Sequence, residues 1–530
     1  MFAHFYKRIK NIFLPCLALS AAVGCFTAIA VTAFKLAAHE IARLSAWLYG
    51  AVADKPLFLP LFAVGAALVG LVASILLSYS RSCRGGGIPT SVAAIRGIVS
   101  FKWLASIFVL PISALLTFLC AIPLGTEGPC VQMGTAIGDG VTECLGSKKQ
   151  KGWQRYMMTG GASAGFSMAT GSPISAVIFS MEELHKHFSP LLISVASMSV
   201  VFAHITEQLL SFLGIRTGSL FSVAHLPTMQ ARYFFVPLLV GLVCGIVAIP
   251  FTELYKTIDK LIQKVVARFS IKLVFPMLFA LVALIGFFMF DALENGHSLA
   301  QSLMQAKTAW YLLILVFLIR AILMMVSNTA GVTGGIFLPT LAFGAILGSL
   351  CGQTLIALGL AAAEHYTLIV TLGIVSFLGA NSRIPITACV FAIEALGGMH
   401  NVFAVIAATT VAALVVEAFG LEDFTDTVIH AKIRAISNGK EPHAIEATLT
   451  VKKDSFAAGK EPRDILWPND CAVVSFERLD KHKEQTELAI GDMLTVRYKT
   501  FHPAETAQEF EVLVGEQAEE IKRIMMPDLA

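Results

Sequence analysis

Charge is what this sequence lacks most. Only 14% of its 530 residues are Asp, Glu, Lys or Arg, against roughly a quarter in an ordinary soluble protein, and 56% are hydrophobic. So few charges exclude a hydrated surface around most of the chain and make lipid the first solvent to consider. Paired cysteines are missing too. The ten cysteines stand singly, mostly in apolar stretches such as Cys16, Cys25, Cys120, Cys244 and Cys389, with no CxxC, a spacing that fits neither a disulfide framework nor a zinc site and leaves packing as their role. Basic residues are scattered between apolar runs and the C-terminal part is acidic, which excludes a nucleic-acid footprint.

Apolar runs fill the rest, from Asn11 to Leu36 through Pro56 to Ser78 and onward to Val402 to Phe419. Several reach the length of about 20 residues that a crossing helix needs. Others are too short or are broken by Gly and Pro, the pattern of helices that end inside the membrane. After Asn438 the chain carries 12 basic and 18 acidic residues, which puts this tail near −6 and the body before it near +9. Basic clusters at Lys7-Arg8-Lys10, at Lys148-Lys149-Lys151 with Arg155, and at Lys256-Lys260-Lys264-Arg268 mark cytoplasmic loops by the positive-inside rule and place the N-terminus inside. The first apolar run lacks a small-residue cleavage site and reads as a retained helix.

Two halves of the body match. Pro129 precedes Gly134 and Gly138 at the spacing with which Pro339 precedes Gly344 and Gly348, and the segment from Pro173 to Glu182 parallels that from Pro385 to Glu394. Duplicated membrane units commonly pack about a pseudo-twofold axis with the substrate site between them. Three glycine-rich turns stand before helices with Pro in their first turn: Gly85-Gly86-Gly87-Ile88-Pro89, Gly125-Thr126-Glu127-Gly128-Pro129, and Gly334-Gly335-Ile336-Phe337-Leu338-Pro339. A helix N-terminus exposes unpaired N–H groups and about half a positive charge. Several aimed at one point bind a small anion without holding it as tightly as a lysine would. Within the second turn, Glu127 is a carboxylate at membrane depth, which is costly without a function or a partner. Its charge suits the place an anion would take, so it can block the route and open it by swinging away or taking a proton.

In order and spacing, the three turns resemble the signature motifs of the CLC chloride channel and transporter family, over roughly residues 11 to 434. The resemblance implies an all-α polytopic membrane protein with an inverted repeat of tilted and broken helices, assembled as a homodimer with a pore in each subunit. It implies a gating role for Glu127 and proton transfer by Glu183 and Glu127. Anion binding is implied at Gly86, Gly87, Ile88, Thr126, Gly128, Ile336 and Phe337, with Met399 where the family's central tyrosine is expected. Gly86 stands in place of a serine, and Thr126 in place of the basic residue common before the gate. Chloride or another small anion and protons are the expected partners, with no cofactor and no nucleic acid.

Beyond residue 434 the pattern changes to alternation, with strands expected at Ala447 to Val451, Ala472 to Phe476 and Met493 to Arg497, the last after a Gly491-Asp492 turn. From Gly459 to Asp492 this tail resembles the C-terminal domain of TrkA/RCK regulatory proteins, which implies a small α/β cytoplasmic module at 435–530 that takes a small ligand or dimerises. It is too short for paired CBS domains. The expected function is proton-coupled anion exchange in a plasma or bacterial inner membrane, with passive anion conduction as the alternative. A metal hydrolase built on Glu182, Glu183, His185 and His187 is disfavoured by the absence of an HExxH helix, so the chain is read as a transporter and not an enzyme.

Overall fold

A computed structural model describes residues 13–99, 102–145, 152–218, 220–221, 226–420, 422–437, 443–453, 455–462, 465–468, 471–478, 487–501, 503–515 and 519–523. The basic residues Lys7, Arg8, Lys10, Lys148, Lys149 and Lys151 lie outside these. Helices account for nearly all of the body: α1 (Leu14–Asp54), α2 (Leu59–Tyr79), α3 (Ile88–Ile95), α4 (Trp103–Leu119), α5 (Glu127–Leu145), α6 (Gln154–Thr170), α7 (Pro173–Phe179), α8 (Pro190–Phe212) and α9 (Phe235–Phe269). They continue with α10 (Ile271–Phe288), α11 (His297–Gln305), α12 (Trp310–Ala330), α13 (Phe337–Ala357), α14 (Tyr366–Asn381), α15 (Pro385–Ala395), α16 (Val402–Ala418) and α17 (Phe424–Ser437).

Among the described residues, nine helices are long and apolar enough to cross a membrane. Each has a strongly apolar stretch of 18 residues, as a helix between lipid and protein must, and side chains such as Leu61, Phe212, Phe288 and Phe403 stand exposed on the outside. With eight, seven and eleven residues, α3, α7 and α15 are too short to cross and end within the body. Proline opens α7 and α15 and sits in the first turn of α3, where its missing N–H costs no intrahelical bond.

The duplication read from the sequence is visible in the packing. In the first half α5 crosses α6 where Gly134 meets Gly161, and a methyl on either would strike the other's carbonyl; in the second, α13 crosses α14 where Gly344 meets Gly373 in the same way. A second sign is a reciprocal cap. Glu394, at the end of α15, accepts hydrogen bonds from the N–H groups of Ile174 (2.9 Å) and Ser175 (2.8 Å) and from Ser175 Oγ (2.7 Å) at the start of α7. Glu182, just past α7, does the same for Ile386 (3.0 Å) and for Thr387 N–H and Oγ1 (both 2.7 Å) at the start of α15. Each carboxylate meets the positive end of the other helix, which is the favourable sense of the macrodipole. Glu394→Ala is expected to lower stability by about 2–3 kcal/mol, since three charge-assisted bonds disappear. Glu182→Ala should cost about the same, and a melting temperature unchanged in either variant would contradict the reciprocal role.

The tail forms a four-stranded antiparallel sheet in the order β2-β3-β1-β4, built from β1 (His443–Thr450), β2 (Ala472–Glu477), β3 (Met493–Thr500) and β4 (Glu519–Arg523), with helix α18 (Pro503–Val514) before the last strand. Ile445, Ala447 and Leu449 of β1 and Leu494, Val496 and Tyr498 of β3 are buried, in the alternation expected of a sheet covered on one face. That face packs on Phe510, Leu513 and Val514. The tail also holds the body. Phe456 lies edge-on to Trp153 (ring centroids 5.4 Å apart) and against Tyr156, while Arg155 donates to the Trp467 carbonyl (3.0 Å) and pairs with Glu509 (2.5 Å). Burial pushes the nearby Lys460 ammonium down to about 7, and its place over the Phe456 ring, 3.3 Å from the centroid, offsets part of that cost.

Candidate anion pathway

The three glycine-rich turns meet. The Gly125 N–H donates to the Gly335 carbonyl and the Gly335 N–H to the Gly125 carbonyl, each at 2.7 Å, so the turns before α5 and α13 are joined as an isolated antiparallel bridge. The first turn is tied in by the Gly85 N–H, which donates to the Gly331 carbonyl at 2.8 Å. At the centre lies Gly128: a Cβ there would come within 2.6 Å of the Gly335 Cα and 3.0 Å of the Gly87 Cα. Gly87 has φ +133°, a conformation that only glycine adopts at low cost. The glycines are therefore needed for close approach of three backbones. Their meeting brings the N-termini of α3, α5 and α13 to one place inside the body.

Glu127 occupies that place. Its residue is fully buried. One carboxyl oxygen accepts from Thr126 Oγ1 at 3.1 Å and the other has no hydrogen-bond partner. A buried carboxylate against helix N-termini stands in the position of a bound anion. The Phe337 ring faces Phe166 and Phe391 edge-on, with centroids 5.0 and 5.8 Å away, and Phe166 stacks on Phe179. Aromatic packing from both repeats thus fixes the start of α13.

Of the sequence-derived anion ligands, Gly86, Gly87, Ile88, Thr126, Gly128, Ile336 and Phe337 lie in these turns. Two expectations need correction. The Gly87 N–H is already used: it donates to Gln132 Oε1 at 2.8 Å, and Gln132 Nε2 reaches the Ser82 carbonyl at 3.1 Å. Gln132 also bears on Gly86, where a Cβ would lie 2.7 Å from Gln132 Oε1 and 2.5 Å from Leu110 Cδ1, so a serine there would have to displace the ends of both side chains. Met399 is not at the site. It is 65% exposed on the short turn Gly398–Asn401 before α16, because the chain makes that turn at the surface.

The helix start that joins the site region after the last span is that of α17, which the sequence reading overlooked. Asp423 caps it by accepting from the Asp426 N–H at 2.5 Å, and Thr425 is buried beside Glu183. Glu183 lies in a π-helical turn, Ser180–His185, of the kind often found at functional sites. It is buried, with one carboxyl oxygen unpartnered, beneath a charged cluster in which Lys186 bridges Asp423 (2.5 Å) and Asp426. Further along α17, Lys432 bonds Thr90 Oγ1 and would lie 3.5 Å from a Cβ on Gly85. Together with Arg81, Arg84, Asn328 and Asp259 it lines a cavity of about 290 Å³ that reaches the first glycine turn. The hydrolase constellation does not assemble: both oxygens of Glu182 cap α15, and the His185 ring is bonded to Thr159 Oγ1 at 2.8 Å.

Comparison with known proteins agrees with this architecture. The family model for voltage gated chloride channels matches residues 65–417. The H+/Cl− exchange transporter ClcA of Klebsiella pneumoniae is 24% identical over 423 residues, 78% of this chain and 88% of that protein. The ClcA of Yersinia pestis is 25% identical over 454 residues, 82% and 93% respectively. Among solved structures, a slow cyanobacterial Cl−/H+ antiporter superposes with a TM-score of 0.71 at 20% identity, covering 79% of this chain and 98% of that one. A CLC-type fluoride/proton antiporter gives 0.63 at 20% identity, covering 77% and 96%. With the family model spanning two thirds of its length and the three joined turns at its centre, the chain belongs to the voltage-gated chloride channel, or CLC, family of multi-pass membrane proteins.

Proposed function

We propose that this protein exchanges chloride for protons across a cell membrane, with Glu127 as the gate that alternately fills the anion's place and carries the proton. The observation that carries this reading is the fully buried Glu127 carboxyl, set where three helix N-termini meet. It is supported by relatives that are named H+/Cl− exchange transporters and cover most of the chain. Anions are held by partial charges of the turns at Thr126, Gly128, Ile336 and Phe337, weakly enough to leave again. Glu183, beneath the Lys186 and Asp423 cluster, passes protons from the side that carries the tail, and Arg84 and Lys432 draw anions into the cavity beside Gly85. Residues 1–434 then form the transport body and 435–530 a cytoplasmic regulatory module of the TrkA/RCK type, with the N-terminus on the same side and two chains making a homodimer.

Passive conduction is the second reading, favoured by one observation: Gly86 contributes no side-chain hydroxyl to the first turn. Glu183→Gln in proteoliposomes separates the two. Under exchange, proton movement falls by at least about tenfold, as when an acid–base group is removed, while chloride flux persists. Proton transport unchanged in the variant overturns the assignment of Glu183.

A further inference from the structure

Arg320 stands at the middle of α12, a helix long and apolar enough to cross the membrane, and it is fully buried. An arginine at that depth marks a function or a demanding structural need. Both of its terminal nitrogens donate to main chain: Nη1 to the Leu293 carbonyl at 2.6 Å and Nη2 to the Glu294 carbonyl at 3.0 Å. These carbonyls belong to the loop between α10 and α11, which is itself buried at Ala292 and Leu293, so its polar groups need partners inside the protein. Gly296 makes room for the guanidinium, since a Cβ there would strike Nη2 and lie 2.6 Å from the Ala342 Cβ of α13.

The same loop holds the approach to Glu127. The Glu294 N–H donates to the Ala121 carbonyl at 2.8 Å. Both residues have left-handed backbones, Glu294 at φ +58° and Ala121 at φ +52°, a conformation that residues with side chains keep only where their surroundings impose it. From Ala121 the chain runs through Ile122, Pro123 and Leu124 to Gly125 and on to Glu127. It is pinned on either side as well: the Cys120 carbonyl accepts from the Tyr49 hydroxyl at 3.0 Å, and Gly125 is bridged to Gly335. Leu124, between the pins, is buried, and a Cβ on Gly334 would lie 2.5 Å from its Cβ. Arg320 thus reaches the segment before Glu127 through two hydrogen bonds in series, and it lies beside α13, whose start completes the site.

We propose that Arg320 is a positioning residue of the gate: its guanidinium locks the Leu293 and Glu294 carbonyls, which holds Glu294 and Ala121 in their left-handed conformation and fixes where the turn carrying Glu127 sits. This rests on the exchange reading, in which Glu127 carries the proton. A gate that fills the anion's place must return to it after each proton transfer, and a turn free to shift returns it inaccurately. Chloride then slips past without a proton. Loss of Arg320 therefore uncouples the two fluxes, whereas loss of a residue that only supports the fold lowers both in proportion by leaving fewer active molecules. The fork matters as well as the charge, because a lysine ammonium lacks the rigid planar donors that serve two carbonyls at once.

The test is the ratio of initial chloride flux to initial proton flux in proteoliposomes of the full chain. Arg320→Met is expected to raise that ratio about fivefold, within the range by which residues remote from a site alter its coupling, while chloride flux persists. Arg320→Lys should raise it about twofold, and Glu294→Gln, which keeps the main-chain bonds, should leave it at the wild-type value. A wild-type ratio in an Arg320→Met protein that still moves chloride overturns the proposal. So does a rise in Glu294→Gln as large as that in Arg320→Met, since the guanidinium would then act on the carboxylate and not on the main chain. Should Arg320→Met not fold, a wild-type ratio in Arg320→Lys overturns it instead. A wild-type protein that moves chloride and no protons sinks the exchange reading and this proposal with it, a result distinct from a coupled wild type beside an equally coupled Arg320→Met.

Discussion

Glu127→Gln is expected to abolish chloride-driven proton movement while chloride flux stays at or above the wild-type rate. The amide has nearly the shape of the carboxyl but carries no charge and takes no proton, so it competes poorly with chloride for the helix N-termini. The buried position makes the effect large. A carboxylate here has given up its water, and its charge is met by the Thr126 hydroxyl and by the positive ends of the helices that start beside it. Burying a charge is tolerated only with such partners, and neutralising it removes the attraction that holds the gate shut. Flux and pH dependence measured side by side in liposomes check this, and a variant that still couples protons would remove Glu127 from the mechanism.

Gly128→Ala should disrupt the junction of the three turns. Its Cβ would lie 2.6 Å from the Gly335 Cα and 3.0 Å from the Gly87 Cα, well inside the optimum of about 3.5–4.0 Å for carbon pairs. Overpacking typically costs about 1–3 kcal/mol because flexible side chains give way. Here the neighbours are backbone, in turns pinned by the paired bonds of Gly125 and Gly335. To admit the methyl, that bridge must open and the N-termini must separate, so we expect a lower melting temperature together with loss of flux. Gly50→Ala on α1, where a Cβ meets nothing within 4 Å, serves as the control and should leave both unchanged.

Much of this site was legible in the sequence because glycine and proline report backbone geometry directly. Pro129 with Gly134 and Pro339 with Gly344 marked the repeat, and the same glycines prove to be the crossing points of α5 with α6 and of α13 with α14. The spans followed from hydropathy, and β1, β2 and β3 from alternation. What escaped depends on side chains meeting across long sequence separations. Gln132 reads as one polar residue in a helix, and nothing local says that it satisfies the N–H of Gly87. The placement of Met399 followed from spacing after the segment from Pro385 to Glu394, yet the chain spends that spacing on a surface turn and another span before α17 brings Thr425 to Glu183.

The central claim, obligatory exchange through a protonatable gate, is tested most directly by chloride-driven proton transport in liposomes of the wild-type protein. With an imposed chloride gradient and no initial pH gradient, the account predicts that protons move opposite to chloride, build up a pH difference against their own gradient, and stop doing so when Glu127 is changed to Gln. Chloride moving freely down its gradient while the internal pH stays constant would contradict it and leave passive conduction as the activity.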